Sequence, residues 1–148
     1  MERGRLLGVD YGTVRVGLAI TDPDRIIASP LETLTRRSAA EDAASLKAVV
    51  EREQVMKIIL GLPVHTNGRE GQKAGEARQY AAWLIETLGL PLQLWDERFT
   101  TVIAESALWN AGLTNKQRKL RRDRVAAQVL LQSFLEAGCP DDEGTTPG

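Results

Sequence analysis

The sequence predicts an α/β fold in which helices cover both faces of a mixed β-sheet. Two observations lead to this class. Short apolar runs typical of buried strands alternate with longer segments whose apolar residues recur at helical spacing. The first strands also follow one another across short turns, whereas the later strands are separated by helices. This order is typical of a layered domain that binds ligands at the carboxyl ends of its strands.

Local signals mark where the elements begin and end. Capping-box spacing indicates helix starts at Ser38 and Thr114, and Gly89 and Gly112 are placed to end helices. These signals and the hydrophobic pattern predict strands at 6–10, 14–20, 26–28, 57–63 and 92–95, the third ending at Pro30. They predict helices that begin near Ser38, run through 74–88 and 102–111, and finish with 114–137.

The second predicted strand has two chemically different faces. One face is apolar and consists of Val16, Leu18 and Ile20. The other consists of Arg15, Gly17 and Ala19. Small residues on that second face predict that another element packs closely against it.

Composition indicates one ordinary globular domain. The chain has 148 residues, of which 43% are hydrophobic, and this is long enough to bury a core without cross-links. We predict a domain over 1–138 and a flexible acidic tail over 139–148. No apolar run reaches the ~20 residues that a membrane span needs, and the first residues do not resemble a secretory signal. We therefore expect a soluble, cytoplasmic protein.

The chain has too few soft ligands for a zinc site. Cys139 and His65 are its only cysteine and histidine, and zinc sites need several such residues. Cys139 cannot form an internal disulfide, which fits a reducing compartment. Any metal bound by this chain is therefore expected to be a hard cation held by carboxylates.

Charge is informative through its distribution. Lysine and arginine total 19 against 20 aspartate and glutamate residues, which argues against a protein that coats nucleic acid non-specifically. The segment 116–124, however, reads KQRKLRRDR. This basic run is either a solvated helix face or a surface that tracks phosphates, and its position beside Asp123 favours phosphate binding.

Acidic residues stand where the local pattern favours apolar or neutral ones. Asp10 ends the first strand, and Asp96 and Glu97 end the last. Asp123 lies on the core-facing stripe of the final helix. Buried lone carboxylates are costly unless they are paired or bind a metal. Converging acids of this kind can hold two hard cations about 4 Å apart, an arrangement that hydrolyses phosphodiesters.

Each acid also has a simpler interpretation. Asp10 can be a turn residue, and the acids at 96–97 can belong to a solvated loop with a local ion pair. Asp123 can belong to a surface salt-bridge cluster with Arg121, Arg122 and Arg124. The metal site is favoured by the joint pattern, since the acids occupy two strand ends and one helix face and no competing chemistry is present.

The tryptophans are predicted to pack. Trp83 and Trp109 fall on predicted helices and Trp95 on a predicted strand. Packing in the core or an interface is the commoner role for such residues, so we favour it over base stacking.

Four segments carry a family resemblance. They are LLGVDYGTVRVGLAITD (6–22), IILGLP (58–63), DERFTT (96–101) and DRVAAQVLLQSFLE (123–136). In this order they resemble the YqgF/RuvX family, bacterial proteins described as Holliday-junction resolvases and as pre-16S rRNA nucleases. The first segment alone also resembles actin-like kinases, but the combination is specific and covers nearly the whole chain.

The resemblance implies an RNase H-like fold, a three-layer domain with a five-stranded mixed sheet flanked by helices. It also implies a metal-dependent nuclease site using Mg²⁺ or Mn²⁺. Asp10, Glu97 and Asp123 match the family's metal-binding, catalytic acids. Asp96 would orient the loop, or would contact a metal ligand without binding the metal itself. The family often has an acid in the loop where this chain has His65 to Gly68, so no metal ligand is expected there.

The resemblance also implies phosphate-binding residues. Arg15 and Arg98 match basic positions of the family, and their alternative role is a structural ion pair with Asp10 or Asp96. From the basic run we add as substrate-binding residues Lys116, Arg118, Arg121 and Arg122.

Three classes of function are therefore compared. The first is a metal-dependent nuclease acting on structured RNA or branched DNA, with 16S rRNA maturation as the favoured role; a homodimer is allowed for. The second is an actin-like ATPase or kinase, but such enzymes need two domains of this kind. The third is a non-catalytic RNA-binding domain with the same fold, against which the retained acids argue.

Overall fold

The computed structural model describes residues 4–64, 67–97 and 114–140 and confirms the layered α/β fold. Its strands are β1 (Arg5–Asp10), β2 (Arg15–Thr21), β3 (Ala28–Thr35), β4 (Val55–Leu62) and β5 (Leu92–Asp96). The helices in these residues are α1 (Ala39–Glu53), α2 (Gln72–Leu88) and α3 (Asn115–Glu136). Most predicted elements are therefore present, with ends that move by one or two residues.

The strands form one mixed sheet in the order β3-β2-β1-β4-β5. β2 runs antiparallel to β1 and β3, whereas β4 runs parallel to β1 and β5. Asp10, at the end of β1, lies opposite Gly17 of β2, and Leu62 of β4 lies opposite Asp96 of β5. The carboxyl ends of the three parallel strands therefore meet at one edge of the sheet.

The two faces of the sheet bury different cores. The larger core packs the sheet against α1 and α2 and includes Leu7, Val9, Val16, Leu18, Leu46, Val49, Ile58, Leu60 and Leu84. The smaller core packs it against α3 and consists of Leu6, Ala19, Ala28, Ile59, Ala127, Leu131 and Phe134. Side chains alternate along a strand, so Asp10 is placed on the α3 face, as are Leu6 and Gly8.

The helix ends follow the predicted signals. Ser38 accepts a hydrogen bond at Oγ from the Glu41 backbone N–H, 3.1 Å away, and caps α1. Thr114 and Gln117 form a reciprocal capping box at the start of α3. Gly89 ends α2 with φ of 67°, in the left-handed region that glycine adopts at helix ends.

The third strand differs from the prediction. The sequence predicts a strand that ends at Pro30, but β3 continues through Pro30 to Thr35. Proline is tolerated because β3 is an edge strand, where one side of the backbone needs no partner. The pairing with β2 shifts register between Leu18 and Ala19, and Ala19 is the residue opposite Pro30.

Some predictions lie outside the described residues, namely the helix at 102–111, Arg98, Trp109, His65 and the tail from 141 onward. At the start of the predicted tail, Cys139 packs against the α3 core, and the Pro140 carbonyl accepts a 2.6 Å hydrogen bond from Gln93 Nε2. The boundary at 138 stays a prediction. No helix within the described ranges is long and apolar enough to cross a membrane.

Candidate active site

Two acids from different strand ends share a hydrogen bond. The side chains of Asp10, at the end of β1, and Glu97, directly after β5, are bonded to each other. Burial, followed by the charge and hydrogen bond of Glu97 and the charge of Asp123, raises the pKa of Asp10 to about 8. Ionising both of these neighbouring carboxyls would be unfavourable, so Asp10 keeps its proton and donates a hydrogen bond to Glu97.

Glu97 is subject to opposing influences. Burial raises the pKa of Glu97, and the hydrogen bond from Asp10 lowers it. The charge of Asp96 raises this pKa further, whereas the charge of Lys73, in the first turn of α2, lowers it. The pair of carboxyls at this edge therefore keeps a proton, on Asp10, up to about pH 8.

Gly61 makes room for the second acid. It lies on β4, between the strands that carry Asp10 and Glu97. A Cβ at position 61 would lie 2.6 Å from Glu97 Oε1, closer than such atoms approach. A side chain here would therefore displace the Glu97 carboxylate, and glycine lets it reach across β4 to Asp10.

Gly17 brings α3 close to the first acid. Gly17 is the β2 residue opposite Asp10, and a Cβ there would overlap the backbone carbonyl of Asp123. The α3 backbone therefore rests directly on the strand, as the small-residue face of β2 predicts. This contact places Asp123 above the end of β1, near enough for its charge to act on Asp10.

Asp123 forms an ion pair that the sequence did not indicate. Arg15 Nε donates a 2.6 Å hydrogen bond to Asp123 Oδ2, and both side chains are half-buried. The alternatives considered for these residues paired Asp123 with its helix neighbours and Arg15 with Asp10 or Asp96. The observed pair forms because Arg15 lies on the same face of β2 as Gly17, which α3 covers.

The first turns of α3 form an exposed basic surface, which we call the basic run. Its members Lys116, Arg118, Lys119 and Arg122 are exposed, and Arg121 is half-buried. Arg121 Nε is buried without a hydrogen-bond partner, the one such side-chain atom found in the described part of the chain. The run precedes Asp123 along the same helix, so it lies on the approach to the acids.

The structure brings together four of the predicted site residues. Asp10, Glu97, Asp123 and Arg15 meet at the sheet edge, whereas Arg98 lies outside the described residues. The sequence analysis assigned no role in the site to Gly61. A glycine inside a buried apolar run also signals close approach, and that signal could have found it. The sequence around Lys73 gives no indication that this residue lies near Glu97.

The chemistry of these donors fits a hard divalent cation. Carboxylate oxygens are the ligands that Mg²⁺ and Mn²⁺ prefer, and the proton shared by Asp10 and Glu97 occupies a place where positive charge is favoured. Within the described ranges, no three acids, histidines or cysteines stand close enough together to form a metal cluster. The carboxylate of Asp123 is bound to Arg15 in this structure.

Comparison with known proteins gives consistent matches. A family model described as "RuvX: Holliday junction resolvase" matches residues 4–137. A protein of Rhodopirellula baltica is 52% identical over 134 residues, covering 90% of this chain and 78% of that protein. A protein of Koribacter versatilis is 41% identical over 133 residues, covering 90% and 87%. Both carry the name "Putative pre-16S rRNA nuclease".

A solved structure gives the same fold at low sequence identity. The structure of T. thermophilus RuvC in complex with a Holliday junction substrate matches with a TM-score of 0.58 and 14% identity. The match covers 97% of this chain and 99% of that one. It therefore confirms the predicted three-layer fold.

Proposed function

Because this chain belongs to the RuvX family of Holliday junction resolvases, a family of nucleases, we propose that it hydrolyses phosphodiester bonds in structured nucleic acid with Asp10, Glu97 and Asp123 as its metal-binding acids. The observation that carries this assignment is the hydrogen-bonded pair of Asp10 and Glu97 at the sheet edge, with Asp123 beside it. Asp123 would bind the metal after its ion pair with Arg15 breaks.

The acids provide the charge that a hard cation requires. Mg²⁺ or Mn²⁺ bound here would stabilise the charge that develops on the phosphate and lower the pKa of water. The Asp10–Glu97 pair would release its shared proton on binding, so occupancy of the site competes with protonation of Asp10. Arg15, released from Asp123, would be free to bind a phosphate oxygen of the substrate.

The basic residues would hold the substrate backbone. Lys116, Arg118, Arg121 and Arg122 lie ahead of Asp123 on α3 and would contact successive phosphates. The exposure of Lys116, Arg118 and Arg122 supports this role, since a phosphate in solution can reach them. Arg98, next to Glu97 in the chain, would contribute similarly.

The names of the relatives favour an RNA substrate. The two relatives above are named for precursor 16S rRNA, whereas the family description names the Holliday junction. We propose precursor 16S rRNA as the substrate and the four-way DNA junction as the second candidate. We also propose that the protein acts in the cytoplasm, where ribosomes are assembled, and that it forms a homodimer.

Side-by-side cleavage tests this proposal. A precursor 16S rRNA fragment and a four-way DNA junction are incubated with the wild-type protein in Mg²⁺, Mn²⁺ or EDTA. Asp10→Asn should lose cleavage by at least about 100-fold, because an amide cannot replace the carboxylate as a metal ligand. Asp22→Asn is the matched control, since Asp22 lies in the exposed turn after β2, at the opposite edge of the sheet.

Each class of function gives a distinct result. Cleavage of the RNA alone selects rRNA maturation, and cleavage of the junction alone selects resolution. Full cleavage in EDTA contradicts the metal site. Tight binding without cleavage under every condition indicates the non-catalytic RNA-binding domain, and saturable binding and hydrolysis of Mg-ATP indicates the ATPase.

A further inference from the structure

A cluster of aromatic and arginine side chains lies beside the acids, on the opposite face of the sheet. Tyr11 follows Asp10 directly and packs with the α1 and α2 core. Its ring centroid is 4.7 Å from that of Tyr80, and Tyr80 stacks on Trp83 at 5.5 Å with an interplanar angle of 27°. The Arg36 guanidinium lies over both tyrosine rings, 5.2 and 5.4 Å from their centroids.

Arg36 is held in this position. Its Nη1 donates hydrogen bonds to the Tyr11 hydroxyl at 3.2 Å and to the Gly12 carbonyl at 3.3 Å. The Arg36 backbone N–H also bonds to the Val14 carbonyl at 2.9 Å, which joins the end of β3 to the turn after Asp10. The cluster is thus fixed to the same turn that carries the first acid.

This cluster borders a cavity of about 290 Å³, which we call the aromatic pocket. Tyr11, Arg36, Arg37, Tyr80 and Trp83 are among its lining residues. A second cavity of about 450 Å³, between β3 and α1, shares Arg36, Arg37 and Tyr80 with it. The size is near the lower end of small-molecule sites, which span about 300–1,000 Å³, so it suits a group as small as one nucleobase.

The charges in the aromatic pocket are balanced. Arg36 and Arg37 are accompanied by Asp42 and Glu76. A site for a bare phosphate would be lined mainly by cations, whereas a nucleobase is neutral and offers both donors and acceptors. Arg37 is exposed at the rim, and its guanidinium forms no ion pair with any carboxylate of residues 4–64, 67–97 or 114–140.

We propose that the aromatic pocket binds one unpaired nucleotide of the substrate strand, with its base against Trp83 and its phosphate on Arg37. The inference rests on the proposed nuclease function, and it adds that the substrate is single-stranded next to the cleavage position. Aromatic side chains that stack bases in this way tolerate any sequence, because every base has a π face. Trp95 packs edge-on against Phe134 at 5.3 Å and donates its indole N–H to Ser133, as predicted for the tryptophans. Trp83 also packs against the larger core, as predicted, but it borders the aromatic pocket, so our proposal adds the base stacking that the sequence analysis did not favour.

The test compares two RNA duplexes in EDTA, one with a five-nucleotide single-stranded extension and one blunt. Binding of the fluorescently labelled duplexes is measured by anisotropy. The wild-type protein should bind the extended duplex more tightly. Trp83→Leu should weaken binding of the extended duplex about tenfold and leave the blunt duplex unchanged. Arg37→Gln should cause a smaller loss with the same selectivity and a shallower salt dependence.

Two controls keep the result interpretable. Arg52→Gln changes an arginine at the far end of α1, which pairs with Glu32 and Glu53, and should have no effect. Arg37 is exposed, so its variant decides the matter if the Trp83 variant does not fold. Equal losses on both duplexes, or no loss on either, overturn the proposal.

Further arms separate the two proposals. If a free nucleoside monophosphate competes as effectively as the extended duplex, the pocket binds free nucleotides, and the strand proposal is overturned. If the wild-type protein cleaves RNA in Mg²⁺ and Trp83→Leu binds both duplexes normally, the pocket fails and the nuclease function stands. If Trp83 is needed for binding but no substrate is cleaved, the nuclease proposal fails and the pocket stands.

Discussion

The two faces of the sheet hold their helices in different ways. On the α3 face the helix rests on the strands, because Gly8 and Gly17 leave no side chain between the two backbones. On the other face, α1 and α2 are held at a distance by long side chains such as Leu46 and Leu84. Large apolar side chains can adjust when a neighbour changes, whereas a contact between two backbones cannot.

The acids lie on the face that cannot adjust. Glu97 reaches Asp10 across Gly61, and the contact of α3 with Gly17 holds Asp123 near Asp10. The aromatic pocket lies on the adjustable face, where rings and an arginine shape the surface. The difference indicates that a contact between backbones fixes α3 beside the acids, whereas side chains shape the proposed base-binding surface.

The largest effect on cleavage activity is expected when the contact between α3 and β2 is opened. Gly17→Ala places a methyl group against the Asp123 carbonyl and should move α3 away from β2. We expect a stability loss of about 1–3 kcal/mol, typical of overpacking, and loss of most cleavage activity. Denaturant unfolding and cleavage assays, both well below the melting temperature, measure the two effects.

Leu84→Ala is the matched change on the other face. It should lower stability by about 2–5 kcal/mol through the cavity it leaves, yet the folded protein should still cleave. If it loses as much activity per folded molecule as Gly17→Ala, the two faces do not differ in the way described.

A smaller effect is expected from the ion pair on the α3 face. Asp123→Asn should weaken Mn²⁺ binding by about tenfold or more, because it removes a proposed ligand. Arg15→Gln should leave Mn²⁺ affinity unchanged or higher, since it frees Asp123. Both variants should also lose about 1–3 kcal/mol of stability, because each leaves a half-buried group without its partner. Calorimetric titration with Mn²⁺ separates them, and identical titrations for the two variants would show that Asp123 serves only the ion pair.

The shared proton can be tested through the pH dependence of stability in the metal-free protein. The raised pKa of Asp10, about 8, means that between about pH 4 and 8 the folded protein holds a proton that the unfolded chain has lost. Stability should therefore fall as pH rises through this window, by at most about 1.4 kcal/mol per pH unit. Asp10→Asn should remove most of this fall in denaturant unfolding.

Asp22 provides a control of opposite sign. The backbone N–H groups of Ile27 and Ile26 lower the pKa of Asp22, so its contribution to stability is present above the unfolded pKa and is lost as pH falls. Asp22→Asn should lower stability at neutral pH and make no difference in acid.

Parallel pH curves for the wild-type protein and Asp10→Asn would contradict the shared proton.

Much of the fold could be predicted because its signals are local. The strand β1, the caps at Ser38 and Thr114 and the end of α2 at Gly89 all follow from neighbouring residues. The length of β3 could not be predicted, because Pro30 is tolerated only in an outermost strand, and the position of β3 in the sheet is set by tertiary structure. The order of the strands follows from contacts between distant residues and is decided by packing.

The sequence by itself placed acids at the ends of two strands and on one helix, and small residues on one face of β2. Only the tertiary structure decided which groups meet: Asp10 with Glu97, Asp123 with Arg15, and Tyr11 with Arg36 and Tyr80. The physical reason is that charge and polarity belong to a residue, whereas burial and the distance between charges belong to the folded chain. The proton shared by Asp10 and Glu97 exists only because folding removes both carboxyls from water and holds them in contact.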